Sequence, residues 1–215
     1  MGNKRMGPPE DFVDELRLRL AATVFVETGT YLGQTTAWAA QRFSEVITIE
    51  ASPDFHAHAV RRFAGCPGVR VLLGDSRVLL ERVVAQLNGH AVFWLDAHWS
   101  GGATAGEQAE CPLLAELAAI DGAPHVHAVL VDDARCFLAP PPRPHRAEHW
   151  PELPEVVAAL ASGGRRYVTV LDDVLIAVPA ELRGAMREPL QDRTTAEWMR
   201  LARSSRLRRW LRNRL

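Results

Sequence analysis

The sequence predicts an α/β fold: a mostly parallel sheet with helices on both faces and an antiparallel hairpin at its C-terminal edge. Short apolar runs alternate with helical patterns along most of the chain, a rhythm that implies parallel βαβ pairing. Acidic residues close those runs one after another, and two late apolar stretches are separated only by Asp172-Asp173, the spacing of a two-residue hairpin.

Each element has its own signal. Asp11 to Leu20 spaces Phe12, Leu16 and Leu20 four apart behind Pro8-Pro9, which predicts an amphipathic helix covering the sheet. Strand Val24 to Val26, helix Gln34 to Phe43, strand Val46 to Ile49, helix Pro53 to Phe63, strand Val69 to Leu73 and helix Arg77 to Leu87 follow. A fourth strand, Ala91 to His98, leads through SGGATAGEQAE to a helix near Pro112 to Ile120, and HAVLVDD is a fifth, ending at Asp132 and Asp133. After the proline-rich APPPRPHRAEHWPE come helix Leu153 to Ala161 and hairpin strands Tyr167 to Leu171 and Val174 to Val178. The organisation read from this is a helical segment over 1–22, a core over 23–180 and a basic helical extension over 181–215.

Bulk properties limit the function classes. With 215 residues, 47% apolar and 24% charged, the chain has room for one well-buried domain of ordinary globular composition. No apolar run approaches the roughly 18 residues of a membrane span, and MGNKRMGPPEDF has no apolar signal region, so a soluble cytoplasmic protein is the expectation. Cys66, Cys111 and Cys136 are unclustered and fit neither a disulfide framework nor a zinc set. Net charge is −1, yet the last 22 residues hold seven arginines against Glu197 alone, a local +6.

The chemistry-bearing stretch is VFVETGTYLGQTT, Val24 to Thr36. An apolar strand ends at Glu27, Gly29 and Gly33 free the backbone to turn and admit a ligand, and the next helix offers unpaired N-terminal amides. The spacing is not the G-x-G-x-x-G of a dinucleotide site. It resembles motif I of class I S-adenosylmethionine (SAM) methyltransferases, whose Rossmann-like sheet has a similar strand order. That resemblance implies cofactor contacts from Glu27, Thr28, Gly29, Tyr31, Gly33 and Thr35, with Glu27 at the methionine end.

Residues at the carboxyl ends of parallel strands share one rim. Glu50 closes ITIE about twenty residues past the glycine turn, the place from which a carboxylate accepts from both ribose hydroxyls. Asp75-Ser76 closes VRVLLGDS. The resemblance sets them beside the adenine, while Asp75 is equally suited to cap the next helix.

FWLDAHWSGG resembles the active-site strand of metal-dependent O-methyltransferases of the catechol and macrocin types. The resemblance implies that Asp96, with Asp132 and Asp133 after the fifth strand, binds Mg²⁺, an ion suited to octahedral oxygen ligation. The second pair is Asp-Asp rather than the catechol type's Asp-Asn, closer to the macrocin type. Lys4 is the only lysine, so a lysine base beside Asp96 is ruled out. His98 is the nearest group able to take a substrate proton, the alternative being a structural imidazole. The longer string through CPLLAEL also looks like methyltransferases of polysaccharide or natural-product tailoring, which points to a small-molecule or sugar hydroxyl as acceptor. The loop PPPRPHRAEHW, with Arg135 before it, is expected to overhang the rim and offer Arg143, His145, His149 and Trp150 to a substrate.

Other readings stay open. The C-terminal helix carries Leu207, Trp210, Leu211 and Leu215 among Arg206, Arg208, Arg209 and Arg212, suited to peripheral contact with an anionic membrane or to packing in a homodimer. The chain would then be an interaction protein. Nucleic acid is disfavoured as a partner, because no N/D-P-P-Y/W string follows the fourth strand. An aminopropyl transferase or a dehydrogenase would use a similar sheet.

Overall fold

Valine- and isoleucine-rich runs, apolar on both faces, pair in parallel because helices cover both sides. The computed structural model describes residues 7–99, 101 and 104–212, with side chains through Arg203. Five strands pair in parallel: β1 (Val24–Thr28), β2 (Glu45–Glu50), β3 (Val69–Leu73), β4 (Ala91–Leu95) and β5 (Ala128–Val131). Strands β6 (Arg166–Leu171) and β7 (Val174–Pro179) form the hairpin, and β7 lies antiparallel to β5. The order is β3-β2-β1-β4-β5-β7-β6. Strand order reverses between β1 and β4, so a crevice opens beyond their carboxyl ends.

Helices α1 (Glu10–Leu20), α2 (Gln34–Ala39), α3 (Pro53–Arg62), α4 (Ser76–Val84), α5 (Leu113–Asp121), α6 (Arg135–Leu138) and α7 (Leu153–Ala161) belong to the same unit, which runs to Pro179. Helix α1 buries Phe12, Val13, Leu16 and Leu20, the face its four-residue spacing foretells. Every residue of β4 is buried, and Phe93 and Leu95 join Ile47, Leu117 and Val129 in the main core. At about 1.5–3 kcal/mol for each large apolar side chain fully buried, this core holds the strand ends in register.

Among the boundaries that differ from expectation, three have a visible cause. Helix α2 stops at Ala39, because the chain turns there to bring Phe43 onto Phe25 at 5.1 Å between ring centroids. Strand β4 stops at Leu95: the Asp96 amide still donates to the Thr28 carbonyl at 3.0 Å, and beyond it the chain leaves the sheet. Helix α4 begins at Ser76 because the Asp75 side chain caps it, accepting from the Arg77 amide at 2.9 Å.

A second unit starts at Ala180 and consists mainly of α8 (Arg183–Arg212). Within it Trp198, Met199 and Leu201 are exposed. The side chains expected to make the basic face from Arg206 to Leu215 lie outside the described residues, as do Ser100, Gly102 and Ala103 of the loop after β4. Among the described residues no helix is long and apolar enough to cross a membrane. Cys66, Cys111 and Cys136 form no disulfide.

Candidate active site

A cavity of about 670 Å³ opens where the crevice is expected, and five strand ends contribute to its wall. Gly29 and Tyr31 follow β1, Glu50 ends β2, and Asp75 and Ser76 follow β3. Asp96 and His98 follow β4, while Asp132, Asp133 and Arg135 follow β5. Residues more than a hundred positions apart thus line one space.

The acid of the glycine motif is not on that wall. In the parallel register Glu27 lies opposite Thr48, so both side chains leave the sheet on one face, beneath the loop. Thr36 and Thr48 donate their hydroxyls to the same Glu27 Oε2, at 2.5 and 2.6 Å. Thr48 has then spent its proton, so Thr30 donates to Thr48 at 2.6 Å. Burial pushes the Glu27 carboxyl up to about 7 against the lowering effect of the two threonines. Glu27 thus ties β1, β2 and α2 together under the loop, and the methionine-end contact expected of it is not among the contacts its carboxyl makes.

Other members of the motif divide the same way. Gly29, at φ +85°, passes so near β4 that a Cβ would come within 2.3 Å of the Asp96 carbonyl oxygen. Gly33 starts α2 at φ +73° and faces Phe63, away from the cavity. Thr28 is wholly buried, and Thr35 faces the N-terminal segment near Gly7. Neither Thr28 nor Thr35, nor Gly33, lies on the cavity wall.

Glu50 is placed as the spacing implies. Its Oε2 accepts from the Tyr31 amide and its Oε1 from the Ser52 amide, each at 2.8 Å. Each oxygen keeps a second lone pair for a ligand hydroxyl. Asp75 lines the cavity and caps α4 at once, and a double contact with the Arg77 guanidinium lowers its carboxyl despite partial burial.

His98 stands at the other end. Its Nε2 lies 3.1 Å from Asp133 Oδ2 and its Nδ1 3.6 Å from Asp96 Oδ1. Burial disfavours the imidazolium, but the hydrogen bond His98 donates to Asp133 and the charges of Asp96 and Asp133 outweigh it, so the His98 pKa is raised. Burial, and then the charge of Asp132, drives the Asp96 carboxyl well above its ordinary range.

The three aspartates do not fit the magnesium site expected of them. Both Asp133 oxygens are engaged, Oδ2 by His98 and Oδ1 by the Arg135 guanidinium at 2.5 Å. One Asp132 oxygen accepts the Asp133 amide at 2.8 Å. Among the described residues no group of three His, Cys, Asp or Glu side chains is arranged to hold a metal. Asp133 adopts a left-handed φ of +55°, which turns its carboxylate toward these cations.

The expected substrate residues also move. Arg135 reaches the wall, but its guanidinium is paired with Asp133 and Asp173. His145, His149 and Trp150 turn away from the cavity toward Glu110. Sequence reading missed Glu110, which has 1% exposure and carries no motif. It also missed Phe55, whose ring packs on Tyr31 at 4.7 Å on the cavity wall; its place one turn into the helix after Glu50 was the available signal. Glu116, fully buried behind the site and pushed up to about 7 by burial, lay hidden in an apolar helix.

The sheet order and the terminal hairpin together give a Rossmann-like fold, and the solved structures of similar fold include O-methyltransferases. An O-methyltransferase from Bacillus cereus in complex with SAH is similar at 18% identity over 82% of this chain and 83% of that one, with a TM-score of 0.59. TomG from Streptomyces achromogenes, an O-methyltransferase involved in tomaymycin synthesis and solved with SAM, is similar at 17% identity over 82% and 81%, with a TM-score of 0.53. No family model and no curated protein matches the sequence.

Proposed function

We propose that this protein is a SAM-dependent methyltransferase that methylates a hydroxyl on a small molecule or sugar. The observation that carries the reading is the single cavity joining Gly29, Glu50 and Asp75-Ser76 to Asp96 and His98. SAM, when bound, supplies a methyl group activated by a positive sulfonium. Glu50 would accept the ribose hydroxyls, and the polar groups of Asp75 and Ser76 would hold the adenine. Asp96 orients the acceptor through its carboxyl. His98 receives the acceptor proton, and Asp133, at its Nε2, stabilises the resulting imidazolium. Alignment of acceptor and methyl in a partly closed space supplies much of the rate.

Titration calorimetry with SAH, decarboxylated SAM and NAD tests this directly. Tight binding of SAH alone, with methyl transfer to members of a hydroxylated acceptor panel, is the expected result. Absence of SAH binding, or preference for either other ligand, would overturn it in favour of an aminopropyl transferase or a dehydrogenase.

A magnesium-assisted version has one observation in its favour: Asp132 is close enough to Asp96 that its charge disfavours ionisation of Asp96. It requires Asp133 to leave His98 and Arg135. Activity lost to a chelator and restored by Mg²⁺ would support it; unchanged activity would remove it. Peripheral contact through α8 rests on the exposure of Trp198, Met199 and Leu201, and co-sedimentation with anionic vesicles tests that.

A further inference from the structure

Glu110 ends the loop that follows β4, and four groups from the loop after β5 gather around its carboxylate. Trp150 Nε1 donates to Oε2 at 2.9 Å, the Arg146 amide donates to Oε1 at 3.0 Å, and His145 Nδ1 lies 3.1 Å from Oε2. His149 Nδ1 stands 3.8 Å from Oε1. The Glu110 backbone oxygen accepts the Trp99 amide at 2.8 Å, which anchors the carboxylate's own loop. Burial alone would raise this carboxyl, yet the hydrogen bonds from Trp150, Arg146 and His145 bring it below its ordinary range. Glu110 is therefore held as an anion, and its removal would leave buried donors without partners.

The consequence reaches the cavity through aromatic packing. The Trp150 ring lies 5.4 Å from the His98 imidazole and 5.5 Å from both Phe137 and His145, and His145 lies 5.4 Å from Trp99. His98 is thus held by Asp133 at one edge and flanked by Trp150, whose indole is pinned by Glu110. The loop that carries Glu110 also supplies Ala105, Gly106 and Ala109 to the cavity wall.

We infer that Glu110 is a positioning residue: it clasps the two loops and seats Trp150 against His98, fixing the imidazole for the acceptor. Its effect on rate rests on the methyltransferase reading; the clasp itself does not. The loop that looked in sequence like a source of substrate ligands is, on this view, a brace for the proton acceptor.

The test uses the full chain and two readouts. Nitrogen-15 spectra follow the exchange of the Trp150 indole proton, assigned with Trp150→Phe, while kcat, acceptor KM and SAH affinity are measured in parallel. Glu110→Ala is expected to speed indole exchange and to lower kcat about tenfold or more by misplacing His98, with SAH affinity unchanged. Glu110→Gln, which keeps an acceptor oxygen for the indole, should recover most of kcat, and it stands in if the alanine variant does not fold. An indole unaffected by Glu110→Ala, a kcat unchanged after the indole is released, or SAH affinity lost in step with kcat would each overturn the inference. Failure of the wild-type protein to bind SAH would overturn the methyltransferase reading and the role in rate, while indole exchange would still report the clasp.

Discussion

A Cβ placed on Gly29 would lie 2.3 Å from the carbonyl oxygen of Asp96. The turn after β1 and the start of the loop after β4 therefore meet backbone to backbone, at the point where strand order reverses. Gly29→Ala adds a methyl against backbone and strains a φ of +85°. The expected result is a loss of about 2–3 kcal/mol of stability together with weakened SAH binding, read by thermal denaturation with and without SAH.

Glu50 holds the Tyr31 and Ser52 amides with one oxygen each while facing the cavity. Glu50→Ala should weaken SAH binding by about 10–100-fold, the worth of hydrogen bonds to a charged group. Unaltered binding in calorimetry would show that the ribose sits elsewhere.

His98 and Asp133 form one unit, Nε2 to Oδ2 at 3.1 Å. His98→Ala should lower kcat by about a hundredfold or more with little change in SAH affinity, and Asp133→Asn should lower it less, because a neutral amide still orients the ring. Equal kcat in His98→Ala and wild type, measured by single-turnover methyl transfer, would leave His98 a structural imidazole.

Glu116 is buried among Ser76 and Thr28, with Asp75 and His98 near, and its carboxyl is pushed up to about 7. A carboxyl raised in the folded state binds its proton more tightly than the unfolded chain does. Its contribution is therefore fully present below the unfolded value near 4.5 and is lost as pH rises through about 7. The loss amounts to about 3 kcal/mol by linkage. Glu116→Gln should flatten the decline of denaturation midpoint between pH 5 and pH 8; an unchanged decline would place the titration in Glu27 or Asp96, which burial also raises.

Local pattern made the framework readable. Val24 to Val26, Ala91 to Leu95 and, but for Thr48, Val46 to Ile49 are apolar on both faces, as strands covered on both sides are. The acid at the end of each run then marked the rim, because parallel strands bring their carboxyl ends together whatever the intervening chain. Glu50, Asp75 and Asp96 were found in this way, and all line the cavity.

What the sequence by itself determined is the α/β framework and the set of strand ends that face one another. Only the tertiary structure decided what each polar side chain does there. Glu27 and Glu50 both close apolar runs, yet register sends Glu27 under the loop to Thr36 and Thr48 and leaves Glu50 on the cavity wall. Asp133 follows β5 as a metal ligand would, yet its left-handed backbone directs it to His98 and Arg135. His145 and Trp150 meet a carboxylate 35 and 40 positions away. Such pairings depend on which face a side chain leaves and which loop lies opposite, and period and composition carry neither.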